Sequence, residues 1–133
     1  MGRPLGEANG GTPDAEELEA FRSDSSLYLM KSNIQELQNV FTGNYKENTR
    51  QIGFDEYLRD LENDALRFRI KDAFTKVNFE IETFDQSLNL TLQNDPEKVL
   101  KLKDACSELL VLIKVDMASF IGSIITFNDN DGD

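Results

Sequence analysis

The sequence contains no histidine, and this absence narrows the chemistry that its residues can perform. Ser–His and Cys–His nucleophile pairs, histidine-based zinc sites and the most common general base are all excluded from this chain. Cysteine is almost as scarce, and the single residue, Cys106, cannot form a disulfide within the chain. Because Cys106 lies among apolar residues of a predicted helix, we expect a buried, inert thiol rather than a nucleophile.

Basic residues are also few, with 14 lysines and arginines against 25 aspartates and glutamates and a net charge of −11. This balance argues against nucleic acid and anionic membrane surfaces as partners, because both favour a basic protein face. Uninterrupted hydrophobic runs are missing as well. The longest apolar stretch, residues 109–127, contains Lys114 and Asp116 near its centre. Both charges are costly in lipid, so the stretch predicts a core helix and no transmembrane span.

What is present is enough apolar material for one domain, since 39% of the 133 residues are hydrophobic. Glycine and proline are concentrated in residues 1–11, which predicts a flexible loop there and a helical domain over residues 12–133. Thr12 offers a capping hydroxyl and Pro13 a first helical residue, so a first helix is expected from there to about Arg22.

Apolar residues that recur every three or four positions predict longer helices further along the chain. One such helix ends at Gly43, a second runs over residues 66–84, and a third begins at Pro96 and continues for about eight turns. A short helix is predicted from Phe54 to Leu61. The expected fold class is therefore all-α, an up-and-down bundle of four to five helices.

Two segments between these helices leave alternatives open. Residues 62–64 predict either a kink within one helix or a break between two helices, and the pattern does not decide between them. In residues 86–94 leucines alternate as in a strand, but an isolated strand has no partner, so a loop or a helical extension is favoured. Four phenylalanines near helical spacing predict core packing before a ligand pocket. They are Phe68, Phe74, Phe79 and Phe84.

Acidic side chains are concentrated in the last residues, where Asp129, Asp131 and Asp133 alternate with carboxamides and a glycine. Oxygen ligands with this spacing resemble the start of a calcium loop, but Phe127 occupies the place of the first ligand and the closing glutamate is missing. We predict that the three aspartates bind iron or another divalent cation, or form a domain-interface edge; a solvated acidic tail is the simpler alternative. The residues expected to share that interface are Thr12, Pro13, Asn128 and Asn130.

Several short motifs, taken in order, resemble one protein family over nearly the whole chain. They are GGTP at residues 10–13, DSSLYLMKSNIQEL at 24–37, FTG at 41–43, GFDEYL at 53–58, LIKVDMASFIG at 112–122 and TFNDNDGD at 126–133. Together they resemble the C-terminal half of imelysin-like proteins, especially the lipoprotein-type members of Bacteroidetes.

The resemblance implies a bacterial envelope protein, periplasmic or lipid-anchored, that is linked to iron or haem uptake. It implies a fold of two packed helical bundles, in which the partner of this domain is an N-terminal half. The family motif Gly-x-His-x-x-Glu cannot occur here, since the chain has no histidine. We therefore expect a non-catalytic domain. The alternatives are a fragment of an imelysin-type metallopeptidase that lacks its metal motif and a generic acidic helical interaction module.

Overall fold

Helices make up most of the computed structural model, which describes residue 10, residues 25–44 and residues 51–122. No strand occurs within these ranges, and the predicted all-α class is confirmed. From α2 onward, short turns separate the successive helices, except that the last two elements follow α5 without a break. The elements are α1 (Ser26–Thr42), α2 (Phe54–Asp60), α3 (Asp64–Glu82), α4 (Leu88–Asn94), α5 (Pro96–Val111), a π-helical segment (Leu112–Met117) and α6 (Ala118–Ile121).

The first two long helices, α1 and α3, pack in antiparallel orientation. The amide of Asn78 donates a hydrogen bond to the side-chain oxygen of Gln38, at 3.1 Å. Further along, the rings of Phe41 and Phe74 lie 5.7 Å apart. Residue numbers therefore rise along α1 as they fall along α3, which is the geometry expected of neighbours in an up-and-down bundle.

The same argument makes α3 and the last long helix antiparallel. Lys76 forms an ion pair with Glu108 at 2.6 Å, and Arg69 forms one with Asp116 at 3.2 Å. The lower-numbered residue of α3 again contacts the higher-numbered residue of its neighbour. The three long helices therefore run up, down and up, as the sequence predicted.

Capping residues explain where several helices begin. The backbone N–H of Leu66 donates to the side chain of Asn63, which caps α3 at 3.2 Å. Just before it, Glu62 has a φ of 59°, a left-handed conformation that no helix continues through. Residues 62–64 are thus a break and not a kink. Asp95 likewise accepts from the N–H of Lys98 and starts α5, with Pro96 at its first position as predicted.

The segment that alternated like a strand is a separate short helix, α4. Ser87 caps it by accepting from the N–H of Leu90. Leu88 and Leu92, four residues apart, are buried, while Leu90 between them is 46% exposed. Helical spacing therefore accounts for two of the three leucines, and the expected loop or extension is instead a helix of its own.

Buried apolar residues form one main core between α1, α2, α3, α5 and the π-helical segment. α3 contributes the face that its spacing predicted. Its buried residues are Leu66, Ile70, Ala73, Phe74, Val77 and Ile81. A smaller cluster of Leu88, Leu92 and Val99 closes one end of the bundle. Two of the four phenylalanines do not belong to the core, since Phe68 and Phe79 are 53% and 64% exposed, and for these two the prediction was wrong.

The last long helix is not α-helical throughout, because residues Leu112–Met117 adopt π-helical geometry. Hydrogen bonds in such a segment span five residues instead of four. The buried positions show the same change, since Leu109 and Leu112 are followed by Met117, a step of five. None of the helices in the described residues is long and apolar enough to cross a membrane.

Candidate functional site

The residues predicted to bind a cation or form an interface all lie outside the described residues. They are Thr12, Pro13, Asn128, Asp129, Asn130, Asp131 and Asp133. The predicted first helix over residues 12–22 lies outside them too. Within the described ranges, no three or more cysteines and carboxylates are grouped so that they could hold a metal ion. The cation site at the chain's acidic end therefore stays a prediction.

Two glycines build a tight joint between α1 and α2. Gly43 ends α1 with a φ of 73°, and its carbonyl accepts a hydrogen bond from the N–H of Gln51 at 2.9 Å. A Cβ on Gly43 would overlap the carbonyl of Gln51, and one on Gly53 would overlap the backbone of Gly43. Both positions therefore need glycine for close backbone approach, and they fall within the FTG and GFDEYL motifs.

An open apolar groove of about 450 Å³ lies beside this joint. Its side chains come from the end of α1, the residues just before α2 and the beginning of α2, and they include Val40, Ile52, Phe54 and Tyr57. Phe54 and Tyr57 are 41% and 45% exposed. Such a surface can hold apolar side chains, and Tyr57 is the one titratable side chain among its described lining residues.

An ion pair with a buried carboxylate joins α2 to α3. Asp55 is only 3% exposed, and its Oδ2 lies 2.8 Å from Nζ of Lys71. Its other oxygen, Oδ1, is buried without a hydrogen-bond partner among the described residues. The position in the first turn of α2 favours a carboxylate, because the N-terminus of a helix carries partial positive charge.

Sequence reasoning missed this pair, although one signal was available. Asp55 stands three residues before Leu58, which is fully buried, and residues three apart share a helix face. A carboxylate on the buried face of a helix requires a partner, which here is Lys71.

Two exposed ion pairs cross between α3 and the last long helix and flank a cleft of about 210 Å³. The hydrogen bond with Glu108 and its negative charge raise the pKa of Lys76, so this lysine is protonated at neutral pH. The cleft is lined by Arg69, Asp72, Ala73, Lys76, Glu108 and Leu112. It has charged walls and an apolar floor, an arrangement suited to binding a ligand that is both charged and apolar.

Cys106 lies on α5 and is half-buried rather than fully buried. Burial raises the pKa of its thiol above the ordinary value. The thiol is therefore protonated at neutral pH, and a protonated thiol is a poor nucleophile and a poor metal ligand.

Comparison with known proteins identifies one family. The family model described as imelysin, a peptidase family, matches residues 1–114. Neither the search of curated proteins nor that of solved structures finds a match. The matched range includes the joint of Gly43 and Gly53, the groove beside it and the ion pair of Asp55 with Lys71. The acidic residues at the end of the chain lie beyond it.

Proposed function

The chain belongs to the imelysin family, and from this premise we propose that it is a non-catalytic helical domain of a bacterial envelope protein linked to iron or haem uptake. The observation that carries the proposal is the family match over residues 1–114, which agrees with the resemblance of the motifs. The non-catalytic role is supported by the lack of histidine, because the family's Gly-x-His-x-x-Glu motif cannot come from this chain.

The acidic end supplies the cation-binding or interface function in this proposal. Asp129, Asp131 and Asp133 are hard oxygen ligands, the kind that hard cations prefer. Three carboxylates so close together also repel one another, and a bound cation removes that repulsion. The other interface residues of the proposal, which face an N-terminal half, are Thr12, Pro13, Asn128 and Asn130.

Calorimetric titration of the purified chain with ferric citrate, ferrous, calcium and haem solutions tests the binding function. A variant with Asp129→Asn, Asp131→Asn and Asp133→Asn should bind the preferred cation at least tenfold more weakly. The matched control replaces Glu16, Glu17 and Glu19 by glutamine, which removes the same charge from another acidic run. No heat with any titrant, or equal weakening in the control, would contradict the direct-binding version.

The envelope location follows from the resemblance and has its own test. A protein of the periplasm or of a lipid-anchored layer is released by osmotic shock or partitions with the membrane fraction. Fractionation of the native host, followed by immunodetection, should place the protein there. Recovery in the cytoplasmic fraction alone would refute this part of the proposal.

A peptidase fragment is the second candidate, and the peptidase label of the matching family favours it. Such a fragment would need histidine ligands from another chain or domain, because this chain has none. Hydrolysis of unstructured protein substrates by the chain with added zinc should therefore be absent. Turnover that a chelator abolishes would favour this candidate over the first.

A further inference from the structure

Charged residues alternate in sign along one face of α3, beside the cleft. Arg69, Asp72 and Lys76 are spaced by three and four residues, so they lie in one row on the helix surface. Arg69 and Lys76, at the two ends of the row, are paired across the cleft with Asp116 and Glu108. The charges along the row are therefore positive, negative and positive, and both positive side chains already have ion-pair partners.

The opposite wall is built by α5 and the π-helical segment. Glu108 and Asp116 are eight residues apart, which in a straight α-helix would turn Asp116 about 80° away from Glu108. The π-helical segment absorbs the extra residue, so both carboxylates reach α3. Leu112 stands midway between them and is only 4% exposed. Along this wall, an apolar side chain therefore lies between two negatively charged ones.

Among these charged residues, the carboxylate of Asp72 has no cationic partner in the described part of the chain. Asp72 lines the same cleft as Leu112 and is exposed to solvent. The floor beneath it is apolar, since Ala73 and Leu112 are each 4% exposed. Three carboxylates and two basic groups leave one negative charge that a single added cation neutralises.

We propose that this cleft binds a primary ammonium or guanidinium group on an apolar stem, presented by a basic side chain of a protein partner. The charged group pairs with Asp72, and the methylene stem lies on Ala73 and Leu112, as lysine and arginine stems do on apolar surfaces. A cleft of about 210 Å³ accommodates one such side chain. The net charge of −11 attracts a basic partner and speeds its approach.

The probe for the test is the peptide acetyl-Gly-Gly-Lys-Gly-Gly-amide, titrated into isotope-labelled protein and followed by amide chemical shifts. We expect weak binding, with a Kd on the order of millimolar, and shifts confined to residues 69–76 and 108–116. The variant Asp72→Asn should weaken binding at least fivefold. Glu36 is an exposed carboxylate of α1 with no ion pair in the described residues, so Glu36→Gln should change the Kd of the peptide by less than twofold.

Further ligands separate the role of charge, the role of the stem and the source of the amine. The peptide with glutamine in place of lysine should not bind, and n-butylammonium should bind more tightly than methylammonium. Binding of n-butylammonium with exclusion of the lysine peptide would overturn the partner side chain in favour of a free amine. Equal binding to the Asp72→Asn variant, or no shifts at all, would overturn the site.

Discussion

Single residues carry the joint between α1 and α2, and Gly43 is the most constrained of them. We expect Gly43→Ala to lower the free energy of unfolding by about 3 kcal/mol, because it adds a backbone overlap to the strain of a left-handed residue. The matched control is Gly122→Ala, where φ is 76° but nothing lies near the added Cβ. That variant should lose only about 1 kcal/mol. Urea denaturation of both variants measures the difference, and equal losses would contradict the overlap.

The buried carboxylate of Asp55 predicts that replacing its partner Lys71 and replacing the exposed Lys76 destabilise the fold unequally. Lys71→Met leaves the carboxylate of Asp55 buried without any partner among the described residues, and it should destabilise the fold by about 2 kcal/mol. This is below the usual loss for a fully buried pair because the Lys71 side chain is 37% exposed. Lys76→Met breaks a pair whose two side chains are over half exposed, so its effect on stability should be much smaller than that of Lys71→Met. Chemical denaturation distinguishes the two, and similar losses would refute the burial argument.

Whole elements differ in how far the sequence predicts them. α3 could be predicted because its buried residues repeat every three or four positions over a length that only a helix explains. α2 is short, and the sequence predicted the helix without predicting its buried face, which holds Leu58 beside the ion-paired Asp55. That face depends on Lys71 of another helix, and periodicity within α2 carries no information about it.

The π-helical segment was missed for a different physical reason. Ile113 is half-buried and stands four residues before Met117, so the apolar pattern can be followed through it without a break. Only the burial of Leu112 and Met117, five residues apart, reveals the extra residue. The sequence alone does not say which of two neighbouring apolar residues is the deeper one.

Because the π-helical segment contains one residue more than an α-helix needs, a deletion within it should be tolerated, whereas a deletion within α5 should not. Deleting Val115, which is 42% exposed, should turn the segment into α-helix with Leu112 and Met117 four residues apart on one face. Stability should then change by less than about 1 kcal/mol. Deleting Ser107 of α5 should rotate the buried residues after it by about 100° and remove several kcal/mol or more. Thermal and urea unfolding measure both, and equal damage would contradict the register argument.

At the scale of the whole molecule, the sequence predicted the class and the helix order, and the family match confirms the assignment. Composition and spacing suffice for this because three long amphipathic helices have few other ways to bury their apolar faces. The groove beside Gly53 and the charged cleft each combine residues from different helices. Their members meet only after the helices pack, so no local pattern identifies them.

Net charge predicts how salt affects the molecule. With −11 at neutral pH, repulsion between carboxylates opposes the compact state. Raising sodium chloride from 10 to 150 mM, where the Debye length is about 8 Å, should raise the urea midpoint. The exposed pairs such as Lys76–Glu108 weaken under the same conditions, but each contributes too little to reverse the trend. A falling midpoint would mean that these pairs dominate.

Because the three long helices run up, down and up, residues 25 and 122 leave the bundle at opposite poles. A pulling force applied through these two points acts parallel to the helix axes. The helices must then slide past one another together, and many side-chain contacts rupture in the same step. Pulling at one pole alone would instead separate the helices one at a time.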